Sequence, residues 1–597
     1  MGEIIKVSDY IGKRLKEVYG VEKVFLITGG GAMHLNNGIG KYIPYIANHH
    51  EQACAIAAEG YARASGKLGV VNVTTGPGGL NCLNGVFGQW TDSVPVLYLS
   101  GQVKFSTTLA SCPEINLRQL GDQEVDIIST VKHLTKYAKM VTDPNEIAYH
   151  LDKAIYEATH GRFGPVWLDI PFNVQASMVD VDNLKKFTPP SDPVYDLKIS
   201  AVIEKLKSAK RPLIVAGHAM RLSGQIENLA KLAECTDIPI ATTFNGYDVL
   251  PTDNKNAVGR IGTVGQRSAN FVLQNADCVL FLGTRNNVRQ VSYNWENFAK
   301  GAYKIVVDID EAELKKPLVK PDLPINADLK EFFPALLDSG ILDIKTDDTW
   351  IKYYRDIRKK YSFENIKEYK QDFDGLVNVY NLTNKLTMLA DANDIFVVAN
   401  GSPCICTCQS AITKKGQRMF LNSGDASMGY DLPAAIGAAA SVENTDKKVI
   451  CYTGDGSIMM NIQELQTIKT HNLPIIIFII DNDGYSSIKQ THRNFFNGYY
   501  VGCNEVSGVE MPNFSEVSKA FGINSMRIES PAKLEEGISY ALSQKGPFVC
   551  EILCEKDYIF SPKLSAKKLP DGTMVSPSLE DMFPFLDRNE FNENMIK

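Results

Sequence analysis

Gly454-Asp455-Gly456-Ser457 and, further on, Asp481-Asn482-Asp483-Gly484 decide how this chain is read. An apolar run, Val449-Ile450-Cys451-Tyr452, precedes the first stretch, and another, Leu473 to Ile480, precedes the second. Between them Asn461 to His471 predicts a helix with Ile462, Leu465 and Ile468 on one face. Strand, glycine turn, helix and strand make a βαβ unit. Asp455 and Asn482 then stand 27 residues apart at the carboxyl ends of parallel strands, where open α/β sheets bind ligands. One carboxylate, one amide oxygen and one glycine carbonyl form a hard-oxygen set suited to magnesium, which takes its other ligands from phosphates and water. The glycines let backbone N–H groups approach those phosphates. Read alone, Gly-Asp-Gly is also the tight turn of a generic βαβ unit. The asparagine at that spacing, after a second buried strand, favours the ligand reading.

The 597 residues exceed what one core supports and predict three or four domains. The formal charge of −7, with no long basic run, argues against a general binder of nucleic acid or anionic membranes. Twelve cysteines without a paired CxxC framework read as reduced thiols. Cys404, Cys406 and Cys408 alternate at a spacing unsuited to zinc. The first residues hold no secretory apolar segment, and Lys6 stands where a myristoylation signal needs Ser or Thr. No apolar run is long enough to span a bilayer, so a cytoplasmic protein is expected.

Three α/β blocks follow one another, predicting three doubly wound parallel-sheet domains at 1–185, 195–340 and 365–597. The first contains the strand candidates Val24 to Ile27, Val70 to Val73, Val94 to Leu99 and Val166 to Leu168. A connector, Thr188-Pro189-Pro190-Ser191-Asp192-Pro193, leads to the second. There Pro212 to Gly217, Cys278 to Gly283 and Lys304 to Asp308 each end at Gly or Asp, as strands feeding a ligand edge do. Lys345 to Lys370 predicts a linking helix, and the third block begins near Leu376.

Three further motifs need explaining. His49-His50-Glu51-Gln52 opens an alanine-rich helix leading to Tyr61-Ala62-Arg63-Ala64-Ser65-Gly66; a glutamate there complements the helix dipole, whatever else it does. Thr74-Thr75-Gly76-Pro77-Gly78-Gly79 is a structural turn or a dinucleotide loop, although Leu80-Asn81 break the strict GxGxxG form. Ser427-Met428-Gly429-Tyr430 precedes an apolar helix, where Met428 reads as core filler.

With these motifs the chain resembles, over almost its full length, the acetohydroxyacid (acetolactate) synthase family of thiamine diphosphate (ThDP) enzymes. The nearest run is Tyr452 to Ile468. The resemblance implies that Asp455 and Asn482 are side-chain ligands of Mg2+, with the Gly484 carbonyl as a third. It makes Gly401, Ser402, Gly454, Gly456 and Ser457 cofactor-binding residues, lines the pocket with Gly76 and Gly78, and wedges Met428 under the cofactor. Glu51 becomes the catalytic group at the aminopyrimidine, a task that needs a carboxyl able to hold a proton near neutral pH, which burial supplies. FAD without a required redox step is implied for the middle domain, at Arg162, Thr243, Phe244, Asn245, Gly283, Arg285, Arg289, Asp308, Ile309 and Asp328. A vestigial pocket is the alternative there.

The acceptor side departs from the family pattern. Thr491 replaces a tryptophan, Phe172 a lysine, Asp122-Gln123-Glu124 a Phe-Gln-Glu segment, and Asn287-Val288-Arg289 an Asp-Asp-Arg. Losing the lysine weakens recognition of a 2-keto acid carboxylate. In this the chain also looks like flavin-containing carboligases of branched-sugar pathways, of the yersiniose type. The resulting expectation is decarboxylation of pyruvate and transfer of the two-carbon unit to a carbonyl acceptor, a nucleotide-linked keto sugar. Condensation of two 2-keto acids and simple decarboxylation are the alternatives. Gln123 and Arg289 are the acceptor-side candidates. His49, His50 and His492 are proton shuttles or satisfied structural histidines. A homodimer or homotetramer is implied, because in the family different subunits hold the two ends of the cofactor.

Overall fold

Each of the three blocks builds one six-stranded sheet in which every pairing is parallel. The structure, a computed structural model, describes residues 2–372, 375–443, 445–568 and 571–596. Numbered within each sheet in chain order, the first and third sheets share the strand order 2-1-3-4-6-5. The middle sheet has the order 3-2-1-4-5-6, that of dinucleotide-binding folds.

The apolar runs form the central strands: Gly69–Val73, Val96–Gln102 and Val166–Pro171 in the first sheet, Pro212–Ala216, Cys278–Leu282 and Tyr303–Asp308 in the second, and Val449–Gly454 and Ile475–Asp481 in the third. The pattern missed shorter, flanking strands. Tyr45–Ala47 and Tyr137–Met140 join the first sheet, and Ile240–Thr242, Ala257–Arg260 and Leu323–Asn326 join the second. Several are only partly buried, so no continuous apolar run marks them.

Two helices differ from expectation. Before the regular helix Glu464–Thr470, the chain makes short turns over Asp455–Ile458 and Met459–Asn461. Asn461 is spent on a tertiary bond instead, its Nδ2 donating to the Gly429 carbonyl at 2.7 Å. The linking helix is Asp348–Lys360, capped by the Asp347 carboxylate and followed by two short 3-10 turns.

The first and third domains share one core. Helix Glu51–Ser65 crosses helix Asp431–Ala440 so closely that a Cβ on Gly437 would lie 1.8 Å from the Ala57 carbonyl oxygen, and one on Gly60 2.1 Å from that of Ala434. This explains the alanine and glycine content of both helices. The chain beyond Leu553 returns to the middle domain, where Asn275 Nδ2 bonds the Asn594 carbonyl at 3.0 Å. Among the described residues no helix is long and apolar enough to cross a membrane.

Candidate cofactor and active site

At the carboxyl edge of the third sheet, the strand order reverses between Ile395–Val398 and Val449–Gly454. Their following turns, Gly401-Ser402 and Gly454-Asp455, therefore flank one crevice. Asp455 is 2 % exposed. Its Oδ1 accepts the Gly456 N–H at 2.6 Å, and its Oδ2 accepts those of Asn482 at 3.0 Å and Gly484 at 2.8 Å. Burial pushes its carboxyl up to about 7, against the pull of these N–H groups. Gly484 has φ +91°, and a Cβ there would sit 2.4 Å from the Cys503 carbonyl, so glycine is required. The Asn482 amide N–H2 faces the hydroxyls of Ser402 and Tyr558, each at 3.4 Å, which leaves Oδ1 as its free acceptor. A buried carboxylate, a free amide oxygen and a fixed turn carbonyl are the donor set of a hard divalent cation.

The neighbouring residues brace this edge. Ser457 Oγ lies 3.1 Å from Asp431 Oδ1 and accepts the Gly429 N–H at 2.9 Å. A side chain on Gly456 would meet the Tyr485 ring and, at 3.3 Å, the Met428 methyl, so Met428 overhangs the Gly-Asp-Gly turn. Helix Ser402–Ser410 begins at this crevice and carries Cys404, Cys406 and Cys408, all buried.

The corresponding edge of the first sheet is more open. Glu51 starts helix Glu51–Ser65 and is half-buried within the chain, because the first turn of that helix lies at the sheet's rim. Glu51 is thus not the enclosed glutamate expected from the sequence. Asn81 Nδ2 donates to Glu51 Oε2 at 2.9 Å. Gly76 backs onto Gln123, whose carbonyl oxygen would lie 2.0 Å from a Cβ at position 76; Gln123 itself is exposed, at φ +60°. Gly78 is buried in the next turn. Within the chain, Asn84 Oδ1 accepts the Ser427 hydroxyl at 2.7 Å, and Glu464 binds the His49 N–H at 2.9 Å. No hydrogen bond or ion pair among the described residues joins Glu51 itself to the third domain. His50 caps its helix by accepting the Gln52 N–H, and His492 Nδ1 accepts the Val501 N–H, so both have structural roles.

A cavity of about 990 Å³ opens between the domains at the edge of the middle sheet. It stands at the upper end of ligand-site volumes. Arg162, Thr243, Phe244, Asn245, Gly283, Arg285, Arg289, Asp308, Ile309 and Asp328 all line it. Asp308 ends its strand 8 % exposed, with burial raising its carboxyl to about 6. The Arg289 guanidinium lies 4.7 Å over the Phe244 ring, and its Nε is buried without a partner. Arg162 is less free, because its NH1 is paired with Asp310 at 2.7 Å and Glu313 at 2.9 Å. The strand order, the strand-end acid and the orphaned Arg289 nitrogen fit a bound dinucleotide.

Several site residues lay beyond the sequence reading. Lys489, 2 % exposed, bonds the carbonyls of Asn482 at 2.8 Å and Asp483 at 3.0 Å. Tyr558 reaches Ser402 and Asn482 from the chain beyond the third sheet. Asn81 gave a faint signal, falling just after the Gly76-Pro77-Gly78-Gly79 turn; Lys489 and Tyr558 gave none that separates them from surface or core residues.

Comparison with known proteins matches this division of labour. Residues 5–129 match the N-terminal TPP (thiamine pyrophosphate, the same cofactor as ThDP) binding domain of thiamine pyrophosphate enzymes, 199–336 their central domain and 399–552 their C-terminal TPP binding domain. The chain is 32 % identical to a probable acetolactate synthase large subunit of Methanocaldococcus jannaschii, over 99 % of this chain and 98 % of that one. It is 30 % identical to the acetolactate synthase large subunit of Lactococcus lactis, covering 98 % of each. The chloroplastic acetolactate synthase of Arabidopsis thaliana is 29 % identical over 90 % of this chain and 80 % of its own. Such likeness over whole chains, on three sheets with these edges, makes the protein a ThDP-dependent enzyme that belongs to the acetolactate synthase large-subunit family.

Proposed function

We propose that the protein decarboxylates a 2-keto acid, pyruvate by likeness to its relatives, and joins the two-carbon unit to a second 2-keto acid, as an acetolactate synthase does. The observation that carries this reading is similarity to acetolactate synthase large subunits along the entire chain.

Asp455, Asn482 and the Gly484 carbonyl hold Mg2+, and the Gly454-Asp455-Gly456-Ser457 turn and the start of helix Ser402–Ser410, at Gly401-Ser402, cradle the diphosphate. ThDP, when bound, supplies a thiazolium that stabilises the negative charge left by decarboxylation. Glu51 holds a proton at the pyrimidine, oriented by Asn81. Met428, which overhangs the Gly-Asp-Gly turn, would press on the cofactor, while Gly76 and Gly78 would let the first domain approach it. Gln123 and Arg289 face the acceptor. The half-buried Glu51 supports a homodimer or homotetramer in which a partner subunit closes the site. FAD occupies the large cavity in a non-redox role, supported by the middle sheet's strand order and by Asp308. All twelve cysteines are free, which suits the cytoplasm.

A second reading, transfer to a nucleotide-linked keto sugar, is favoured by the acceptor-side residues. Thr491 is exposed and its hydroxyl donates back to the Ser487 carbonyl, and Phe172 packs on His34 with ring centroids 4.8 Å apart, so neither position offers a cation to a carboxylate. Incubation with ThDP, Mg2+ and pyruvate, with and without a nucleotide-linked 4-keto sugar, separates the readings. Acetolactate as the product supports the first, and a branched sugar formed in its place supports the second. Free acetaldehyde alone overturns both.

A further inference from the structure

A second cavity, of about 320 Å³, lies between the middle and third domains and shares no lining residue with the large one. Its volume falls within the range of small-ligand sites. Strand Ala257–Arg260 and the end of helix Ser402–Ser410 form part of its wall. Arg260 lines it, 4 % exposed. Its NH1 faces the carbonyls of Thr407, Cys408 and Ala411 at 3.4, 3.3 and 3.1 Å, and so caps that helix. Its Nε and NH2 have no partner among the described residues, yet neither is sealed from solvent. Those two nitrogens form the side-on fork that grips a carboxylate elsewhere in this chain, where Arg14 Nε and NH2 each meet an oxygen of Asp152 at 2.6 Å.

A buried arginine needs a counter-charge. The helix end supplies about half of one, and among the described residues no carboxylate forms an ion pair with Arg260. Asp248, which attracts it, is already paired with Arg418 at 2.6 Å. Burial lowers the Arg260 pKa against the pull of Cys408, Tyr247 and Asp248. Arg358, on the same wall, spends NH1 and NH2 on the Asn254 and Thr252 carbonyls, each at 2.6 Å. Asp253 and Glu364 also line the cavity, but both are exposed, where water and salt screen them. One planar fork suits a carboxylate. The helix carbonyls beside it disfavour the multiple charges of a phosphate. Leu250, Phe363 and Ile412 offer the rest of such a ligand an apolar wall.

We propose that this cavity is a binding site, separate from the cofactor crevice, for a small monocarboxylate with an apolar tail, its carboxylate held by the Arg260 fork. The probe is 4-methylpentanoate, titrated into the full chain loaded with ThDP and Mg2+ and followed by saturation-transfer NMR, beside 4-methylpentanamide and inorganic phosphate. The wild-type protein is expected to bind the carboxylate about tenfold or more tightly than the amide or phosphate. Arg260→Met should weaken it about tenfold or more. Arg260→Lys keeps a cation at the helix end but loses the fork, and should weaken it about threefold or more. The lysine variant decides the matter if the methionine variant fails to fold. Arg289→Gln, in the large cavity, should leave the binding within about twofold. No binding by the wild-type protein, binding indifferent to both Arg260 substitutions, or phosphate bound as tightly as the carboxylate overturns the proposal. So does a loss in Arg289→Gln alone, which assigns the probe to the acceptor side.

Discussion

The first and third sheets share one strand order, yet their ligand edges differ in nearly every other respect. At the third edge Asp455 is buried and held by three backbone N–H groups, and Lys489 and Tyr558 brace the loops beside it. At the first edge Glu51 has, among the described residues, one side-chain partner, Asn81, and remains half-buried, while Gln123 is exposed. A common topology fixes where a ligand edge lies, and the side chains decide whether that edge grips or reacts. On the proposed reading the third edge grips, and its buried carboxylate is already held in place by backbone N–H groups. On the same reading the first edge reacts, and within the chain it stays the more open of the two.

Removing the grip should produce the largest effect. Asp455→Ala deletes one proposed cation ligand and strands the N–H groups of Gly456, Asn482 and Gly484. Loss of an outer partner of a metal site costs 10–100-fold in affinity, so loss of a ligand should weaken Mg2+-dependent ThDP uptake by about 100-fold or more, read by titration with circular dichroism. Asp455→Asn keeps the shape and much of the hydrogen bonding, and separates charge from geometry. Uptake unchanged in both variants would break the contrast between the two edges.

The first edge should answer differently. Glu51→Gln keeps an acceptor for Asn81 but cannot hold a proton. ThDP binding should stay within about twofold of wild type, while exchange of the cofactor's C2 proton falls by about 10²–10⁴-fold, the usual worth of a positioned acid–base group. Hydrogen–deuterium exchange followed by NMR measures it. A loss of binding as large as the loss of exchange would make Glu51 part of the grip.

What the sequence disclosed follows from the same contrast. The third edge was legible because strand, glycine and metal-type donor fall within one continuous stretch, from Gly454 to Gly484. The buried central strands were legible as unbroken apolar runs, whereas Tyr45–Ala47 and Tyr137–Met140 were lost because partial burial breaks the pattern. Lys489 and Tyr558 were hidden for another reason: their meaning lies in the backbone carbonyls and hydroxyls they meet after folding, which no local pattern encodes. Glu51 was placed correctly at the head of its helix, but the enclosure expected for it is not found, because the first turn of that helix lies at the sheet's rim.

The subtlest test concerns what props the first edge. Asp169 is fully buried in strand Val166–Pro171 and accepts the Ser100 hydroxyl at 2.6 Å and Gln102 Nε2 at 3.1 Å. Gln102 in turn accepts the Thr75 hydroxyl at 2.5 Å, just before the turn at Gly76. Burial raises the Asp169 carboxyl from its ordinary 3.8 to about 7, against the pull of Ser100 and Gln102. Because the folded value lies above the unfolded one, the protonated form favours the fold. Its contribution is complete below about pH 4 and is lost as pH rises through about 7. Asp169→Asn is neutral throughout and should escape that loss. Its weaker acceptance costs about 1 kcal/mol, nearly constant with pH. Thermal melting from pH 5 to pH 8 should therefore show a decline in wild type that is smaller by a few degrees in the variant, although the variant starts lower. Parallel melting curves would mean that Asp169 is already ionised in the fold, and that a charge props the first edge.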